Sequence, residues 1–213
     1  MLSRQWVDAV TEIVGRHTRH AYRHLGLNTC VHSSRVLYTV LRREGIRSEP
    51  TAVSVRALDA ESFGQVQQGV PISGFMYYVG PDVDGLPKDT SVKVLSGKAW
   101  NAHLVVTVEP ALGDDLIVAD VTAPQFHRPQ YGVFVTDPVT FDADPGSWNR
   151  GLPGGVSLPG GAGLIYQRLA ADVPESRMWK MSQAWTTEAS TIRLIADGCI
   201  REVATLDVPR MVS

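Results

Sequence analysis

Cys30 begins a predicted helix and has the sequence context of a nucleophile. It lies in the stretch "LNTCVH", residues 27–32, directly after Asn28 and Thr29, two residue types that favour helix N-caps. Unpaired backbone N–H groups and the helix dipole stabilise a thiolate at such a position. The same N–H groups can bind the oxyanion of a tetrahedral acyl intermediate. The position therefore favours acyl-transfer chemistry, with a buried structural cysteine as the alternative.

A cysteine nucleophile needs a base, and His103 is the candidate because it begins the β-rich run "AHLVVTVEP", residues 102–110. Asp120 lies inside a second apolar run, "DLIVADVTAP", residues 115–124, where a carboxylate without a hydrogen-bonded partner would be destabilising. A Pro/Gly/Asp turn at 110–115 joins the two runs and predicts an antiparallel hairpin. We therefore expect Asp120 to contact and orient the His103 imidazole.

These three motifs follow one another in an order that is typical of a known superfamily. Cys30 at a helix N-terminus, then "WNAHLVV" in one strand, then "VADVT" in the next, resembles the transglutaminase-like branch of the papain-like cysteine enzymes. The resemblance covers roughly residues 28–136. It implies that Cys30 is the nucleophile, His103 the general base and Asp120 the residue that orients the imidazole. We expect a thioester mechanism on an amide-, peptide- or thioester-containing substrate, with neither a cofactor nor a metal.

Other functions remain open at the level of the sequence. The strand pair is also similar to that of the arylamine N-acetyltransferases, which have Gly-Gly before the cysteine where this chain has Asn28 and Thr29. An acyltransferase of that kind and a catalytically inactive papain-like binding module are alternatives to a peptidase, an amidase or a transglutaminase-like transferase. A structural or partner-binding protein, with the Gly/Pro-rich segment 142–163 as its contact surface, is a further alternative. The sequence does not decide whether water or an amine accepts the acyl group.

Three more polar or aromatic residues stand near the predicted triad in sequence. Trp100 and Asn101 precede His103 and either line the substrate site or anchor the strand. Gln125 follows Asp120 by five residues and could donate to an oxyanion or polarise the site. Each is therefore a candidate substrate-binding or oxyanion residue.

The composition excludes several other classes of protein. With 44% hydrophobic residues, 20% charged residues and a formal net charge of -2, the chain is typical of a soluble globular protein and not of a nucleic-acid-binding one. No segment reaches the roughly 20 apolar residues of a membrane-spanning helix. Two cysteines form no disulfide scaffold, so we expect a reducing, cytoplasmic location. The series His17, His20 and His24 has metal-like spacing but no neighbouring carboxylate or cysteine, and we expect no metal there.

The predicted elements give an α+β fold in which N-terminal helices pack on a central antiparallel sheet. We expect one domain over 1–213, divided into an N-terminal helix (1–26), the catalytic core (28–136), a Gly/Pro-rich surface loop (142–163) and a C-terminal strand and helix (163–213). The periodicity predicts helices at 3–25, 30–44 and 176–198, and strands at 49–58, 74–80, 102–110, 115–124, 132–138 and 163–170. An insertion near 59–98, including a loop at 81–98, accounts for the long interval between Cys30 and His103.

Overall fold

The chain forms an α+β structure in which helices pack on an antiparallel, nearly closed β-sheet. A computed structural model describes residues 2–23, 29–81, 93–96, 100–109 and 115–211. None of the helices in these ranges is long and apolar enough to cross a membrane. In chain order the elements are α1 Arg4–Ala21, α2 Cys30–Arg43, β1 Ser48–Leu58, α3 Ala60–Gln68, β2 Phe75–Val79, β3 Lys93–Ser96, β4 His103–Val108, β5 Leu116–Asp120, β6 Val139–Ala143, α4 Pro145–Asn149, β7 Gly154–Ser157, β8 Gly163–Arg168, α5 Glu175–Met178, α6 Gln183–Thr186 and α7 Ala189–Val203.

The two predicted N-terminal helices are confirmed, and local signals explain their bounds. The Ser3 side chain accepts a hydrogen bond from the Trp6 N–H and caps α1. After α2 the chain turns at Gly45, whose φ of 72° is a conformation that glycine adopts without strain. The apolar sides of α1 and α2 share one buried cluster with α7 and with the strands β4 and β5. The first helix ends at Ala21, earlier than the predicted range 3–25, and residues 24–28 lie outside the described residues.

Strand β1 organises the sheet because it pairs along both of its edges. Val53 is the register partner of His103 in β4 and also of Arg168 in β8, so these two strands lie on opposite edges of β1. Strand β2 pairs with the second half of β1, while β4, β5 and β6 follow one another in antiparallel order. Strand β7 pairs with β8, and a Cβ at its Gly154 would lie 3.0 Å from the Phe141 ring of β6. The two ends of the sheet therefore approach each other.

The prediction of a strand at 132–138 is wrong. Its residues follow two 3-10 turns and form no ladder; only an isolated bridge joins Arg128 to Val133. Val133 and Val135 are buried in a core cluster as loop residues, which explains their apolar character without strand pairing. Pro138 cannot donate to a ladder, and the actual strand β6 begins just after it.

The continuous surface loop predicted at 142–163 is also wrong. The segment contains α4, which begins where the Asp144 side chain accepts a hydrogen bond from the Ser147 N–H at 2.6 Å. It also contains β7, and Trp148 within α4 is almost fully buried. Glycines permit this packing: a Cβ at Gly155 would lie only 2.6 Å from the Leu164 carbonyl oxygen of β8. A contact surface made of a free loop therefore has no basis in this segment.

Two further regions differ from the predictions in their details. The predicted insertion contains α3, whose ends carry readable signals: the Asp59 side chain caps it, and Gly69 ends it with a φ of 70°. Most of the predicted loop 81–98 lies outside the described residues, although β3 falls within it and pairs in parallel with β2. The helix predicted at 176–198 is three helices, of which only α7 is long.

Candidate active site

Cys30 is the first residue of α2 and is 8% exposed. Thr29 occupies the N-cap position, but its side chain makes no capping hydrogen bond. Asn28, the other predicted cap, lies outside the described residues. The Thr29 side chain therefore does not occupy the N–H groups of the first helical turn, and such groups can stabilise negative charge.

Asp120 ends β5, and its fully buried carboxylate is held by two neighbouring residues. The Tyr166 hydroxyl donates to Oδ2 at 2.9 Å. The Thr122 backbone N–H donates to Oδ1 at 2.9 Å, and the Thr122 hydroxyl donates to the same oxygen at 3.3 Å. Hydrogen bonds of this kind are what make a buried carboxylate tolerable. They also fix the direction in which the carboxylate faces His103.

The hairpin of β4 and β5 brings His103 and Asp120 together. Val106 pairs with Ala119, and continuing this register places Asp120 diagonally across from His103 on the same face of the sheet. His103 Nε2 lies 2.9 Å from Asp120 Oδ2, and both side chains are essentially inaccessible. The ring N–H departs from the line between these two atoms, so the contact is an ion pair rather than a well-aligned hydrogen bond.

The Cys30 side chain is close enough to the His103 ring to influence its charge. Burial alone would lower the pKa of His103, but the Asp120 charge and the contacts with Asp120 and Cys30 outweigh it and raise this pKa to about 10. The imidazole is therefore charged at neutral pH. The three side chains predicted to form a triad thus lie together in one buried site.

Gln125, a candidate oxyanion donor in the sequence, contacts the Nδ1 atom of His103 in the structure. Its Nε2 lies 2.6 Å from His103 Nδ1, and the residue is held in the 3-10 turn Ala123–Phe126. When the ring is neutral, the amide N–H donates to Nδ1. When the ring is protonated, Nδ1–H must donate instead, either to the Gln125 carbonyl oxygen or to the Cys30 sulfur. Gln125 therefore bears directly on the protonation of the candidate base.

Trp100 and Asn101 make different contacts from each other. Trp100 packs with Cys30 in a small cluster that includes Trp179, and its indole N–H donates to the Glu175 carbonyl at 3.1 Å. Asn101 accepts a hydrogen bond from the Gly80 N–H at 3.3 Å, which ties the start of β4 to the end of β2. Trp100 thus forms part of the apolar wall beside Cys30, whereas the observed contact of Asn101 anchors a strand.

Two residues of the site were not predicted from the sequence. Thr122 follows Asp120 by two positions, and an aspartate that accepts from the N–H two residues later is a recognisable local turn. Tyr166 gives a weaker signal: it is a tyrosine inside the apolar run "GLIYQRLA", and its hydroxyl needs a partner once the strand is buried. Its partner could not be read from the sequence because Asp120 is 46 residues away.

The sequence predicts no metal at the series His17, His20 and His24. His17 Nε2 lies 2.9 Å from Glu202 Oε2, and His24 lies outside the described residues. Within the ranges that the structure describes, no three His, Cys, Asp or Glu side chains are grouped so that they could hold a metal ion.

No protein-family model matches this chain, and neither does any curated protein or any solved structure. Its function is therefore inferred from the contacts of Cys30, His103 and Asp120 and from their surroundings.

Proposed function

We propose that this protein is an acyl-transfer enzyme of the transglutaminase-like, papain-like type, with Cys30 as the nucleophile. The observation that carries the proposal is the position of the buried His103 ring, which lies 2.9 Å from the Asp120 carboxylate and whose pKa is raised by both Asp120 and Cys30. A helix that starts with the cysteine and adjacent antiparallel strands that carry the histidine and the aspartate agree with the resemblance seen in the sequence.

The first half of the reaction forms a thioester. The His103 ring is already an imidazolium paired with Asp120, so it holds the proton that Cys30 gives up and Cys30 reacts as the thiolate. The thiolate attacks the carbonyl carbon of the substrate, so that a C–S bond forms and the carbonyl oxygen becomes an oxyanion near the N-terminus of α2. The bond to the leaving amine or thiol then breaks, and His103 returns its proton to that group. The acyl group is left on Cys30.

The second half releases the acyl group. Water or an amine gives a proton to His103 Nδ1 as it attacks the thioester carbon, and the C–S bond breaks. The Cys30 sulfur leaves as a thiolate beside the protonated His103, which restores the starting state. If the acceptor is water the enzyme is a peptidase or an amidase, and if it is an amine the enzyme is a transferase.

A papain-like binding module without turnover is the second candidate, and the burial of the site favours it. Cys30 is 8% exposed and His103 is 1% exposed, so a substrate carbonyl must enter through a narrow opening. In this alternative the three polar side chains stabilise the fold, and no covalent intermediate forms.

Intact mass spectrometry distinguishes the two candidates. The protein is incubated with a panel of amides, peptides and thioesters, and an acyl adduct on Cys30 is sought in the wild type, in Cys30→Ser and in the matched control Cys199→Ser. The enzyme proposal predicts an adduct that persists in Cys199→Ser and is lost in Cys30→Ser. A folded protein that forms no adduct and releases no product with any member of the panel would support the binding module instead.

A further inference from the structure

A cavity of about 230 Å³ opens beside the candidate active site, between the end of α1, the first turn of α2 and the turn that follows β5. Thr29, Thr122 and Gln125 form part of its wall. Thr29 directly precedes Cys30, Thr122 donates to Asp120 and Gln125 contacts His103. Each residue of the proposed triad is thus bonded to, or in contact with, a residue of the cavity wall.

Two buried hydroxyl groups in the cavity wall, Tyr22 OH and Ser33 Oγ, have no hydrogen-bond partner in the part of the chain that the structure describes. Tyr22 is 5% exposed and Ser33 is 0% exposed. Leaving a buried hydroxyl unpaired is destabilising, so both are positions where polar atoms of a ligand would be stabilising. Burial, with the charge of Glu188 adding to it, raises the pKa of Tyr22 to about 12, so this hydroxyl keeps its proton and can donate.

Two arginines also line the cavity, and their charges are not compensated. Both are exposed: Arg19 lies in the last turn of α1, and Arg23 lies two residues after its end. Arg19 donates to the carbonyl oxygens of Gly15 and Thr136, and neither arginine pairs with a carboxylate among the described residues. The Glu188 carboxylate contacts His32 Nε2 at 3.0 Å and is not among the residues that line the cavity.

We propose that this cavity binds the acyl group of the substrate, and that this group is a short chain with a carboxylate at its far end. The inference rests on the proposed function. Tyr22 and Ser33 hydrogen-bond the polar atoms near the reacting carbon, and Val121 and Pro124 contact the methylene chain. Arg19 and Arg23 bind the carboxylate, as guanidinium groups do with planar anions. The net charge of the chain is -2, so its overall charge does not attract anions.

Two thiol reagents that differ only in charge test the inference. N-bromoacetyl-4-aminobutyrate carries the carboxylate, and N-bromoacetyl-4-aminobutyramide is its neutral counterpart. In each case the Cys30 thiolate displaces bromide and forms a C–S bond. The rate of labelling at Cys30 is measured by intact mass and divided by the rate for 2-mercaptoethanol, so that intrinsic reactivity cancels.

The wild type is expected to favour the acid over the amide by about tenfold, roughly what one charge-assisted hydrogen bond supplies. Arg19→Gln and Arg23→Gln should each reduce this preference, whereas Tyr22→Phe and Ser33→Ala should slow both reagents equally. Arg42→Gln is the matched control, because this exposed arginine lies at the opposite end of α2 from Cys30, about 20 Å away. It should leave the preference unchanged.

The outcomes separate the inference from the proposed function. If neither reagent labels Cys30 faster than it labels 2-mercaptoethanol, the proposed nucleophile fails. If both label Cys30 rapidly but at equal rates, the nucleophile stands and the carboxylate inference is overturned. Loss of the preference in Arg42→Gln to the same extent as in Arg19→Gln would also overturn it, because the effect would then be a general one of charge.

Discussion

Tyr166 donates a hydrogen bond to Oδ2 of Asp120 at 2.9 Å, and the same oxygen lies 2.9 Å from Nε2 of His103. Burial raises the pKa of Tyr166 well above its ordinary value, and the charge of Asp120 adds to the effect, so the hydroxyl remains a donor. Strand β8 therefore takes part in the site although it contributes no reacting group. The contact links the closure of the sheet to the direction of the carboxylate that faces the candidate base.

Tyr166→Phe should destabilise the protein by about 1–3 kcal/mol, because it leaves a buried carboxylate oxygen without a donor while the ring still packs. We also expect Cys30 to be alkylated more slowly, since the carboxylate is held less firmly toward His103. Urea unfolding and iodoacetamide labelling measure the two effects. Tyr131→Phe is the matched control. The centroid of the Tyr131 ring lies 3.7 Å from that of the Phe75 ring, and the Tyr131 hydroxyl has no partner among the described residues. Equal effects of the two substitutions would argue against a role for the hydrogen bond.

The raised pKa of His103 predicts how stability depends on pH. Its ordinary value is 6.5 and its value in the folded chain is about 10, so the folded state binds the proton more tightly than the unfolded state does. The resulting stabilisation is complete below pH 6.5 and is lost as the pH rises towards 10. Asp120→Asn removes the charge that raises this pKa. The stability difference between the wild type and this variant, measured by urea unfolding, should therefore shrink between pH 6.5 and 10; a constant difference would contradict the ion pair.

Gln125→Glu should slow the alkylation of Cys30 by about tenfold or more, the size expected when one charged hydrogen bond is redirected. The new carboxylate would accept from His103 Nδ1–H and take the imidazolium away from the Cys30 sulfur, because Gln125 already lies 2.6 Å from that nitrogen. The pKa of His103, followed by NMR of the ring, should rise further. Gln130→Glu adds the same charge at an exposed neighbouring position and should change neither quantity. If the two variants behave alike, Gln125 does not influence the protonation of His103 or the reactivity of Cys30.

Gly155→Ala tests the closure of the sheet by β7 and β8. Its Cβ would lie 2.6 Å from the Leu164 carbonyl oxygen, a backbone atom that cannot rotate away, so we expect a loss of about 1–3 kcal/mol in the free energy of unfolding. Gly64→Ala is the matched control, because no atom lies within 4 Å of its added Cβ and alanine favours the helix α3 by up to about 1 kcal/mol. The two substitutions should therefore shift the thermal midpoint in opposite directions. A Gly155→Ala protein as stable as the wild type would show that β7 does not pair closely with β8.

The parts of the fold that could be predicted are those whose signals are local. The 3.6-residue periodicity of α1 and α2 and the β-rich runs around His103 and Asp120 need no knowledge of distant contacts. The cost of burying Asp120 without a hydrogen-bonded partner likewise predicts a contact with a polar group on the neighbouring strand, and His103 is the residue that begins that strand. These features account for the helices, the hairpin and the grouping of a histidine with an aspartate.

The parts that could not be predicted depend on contacts between distant segments. Strand β7, with the sequence "GGVS", has no alternating pattern and forms because β8 offers it an edge. Val133 and Val135 have the composition of a strand, yet they fill a core cluster from a loop. Tyr166 and Asp120 are three strands apart in the order β8-β1-β4-β5, so their contact requires the sheet to curl until its ends approach, which no single motif encodes.

The rate of alkylation of Cys30 by iodoacetamide, compared between the wild type and His103→Ala, tests the proposed nucleophile most directly. Cys199 is an internal reference, because it is fully buried and burial, with Glu202 adding to it, raises its pKa to about 12. Circular dichroism establishes that both proteins are folded. We predict that Cys30 of the wild type reacts faster at neutral pH than both Cys199 and a small free thiol, and that His103→Ala slows it by about 100-fold or more, as the loss of a positioned base does. If Cys30 reacts no faster than a free thiol and His103→Ala changes nothing, Cys30 is not a nucleophile activated by His103.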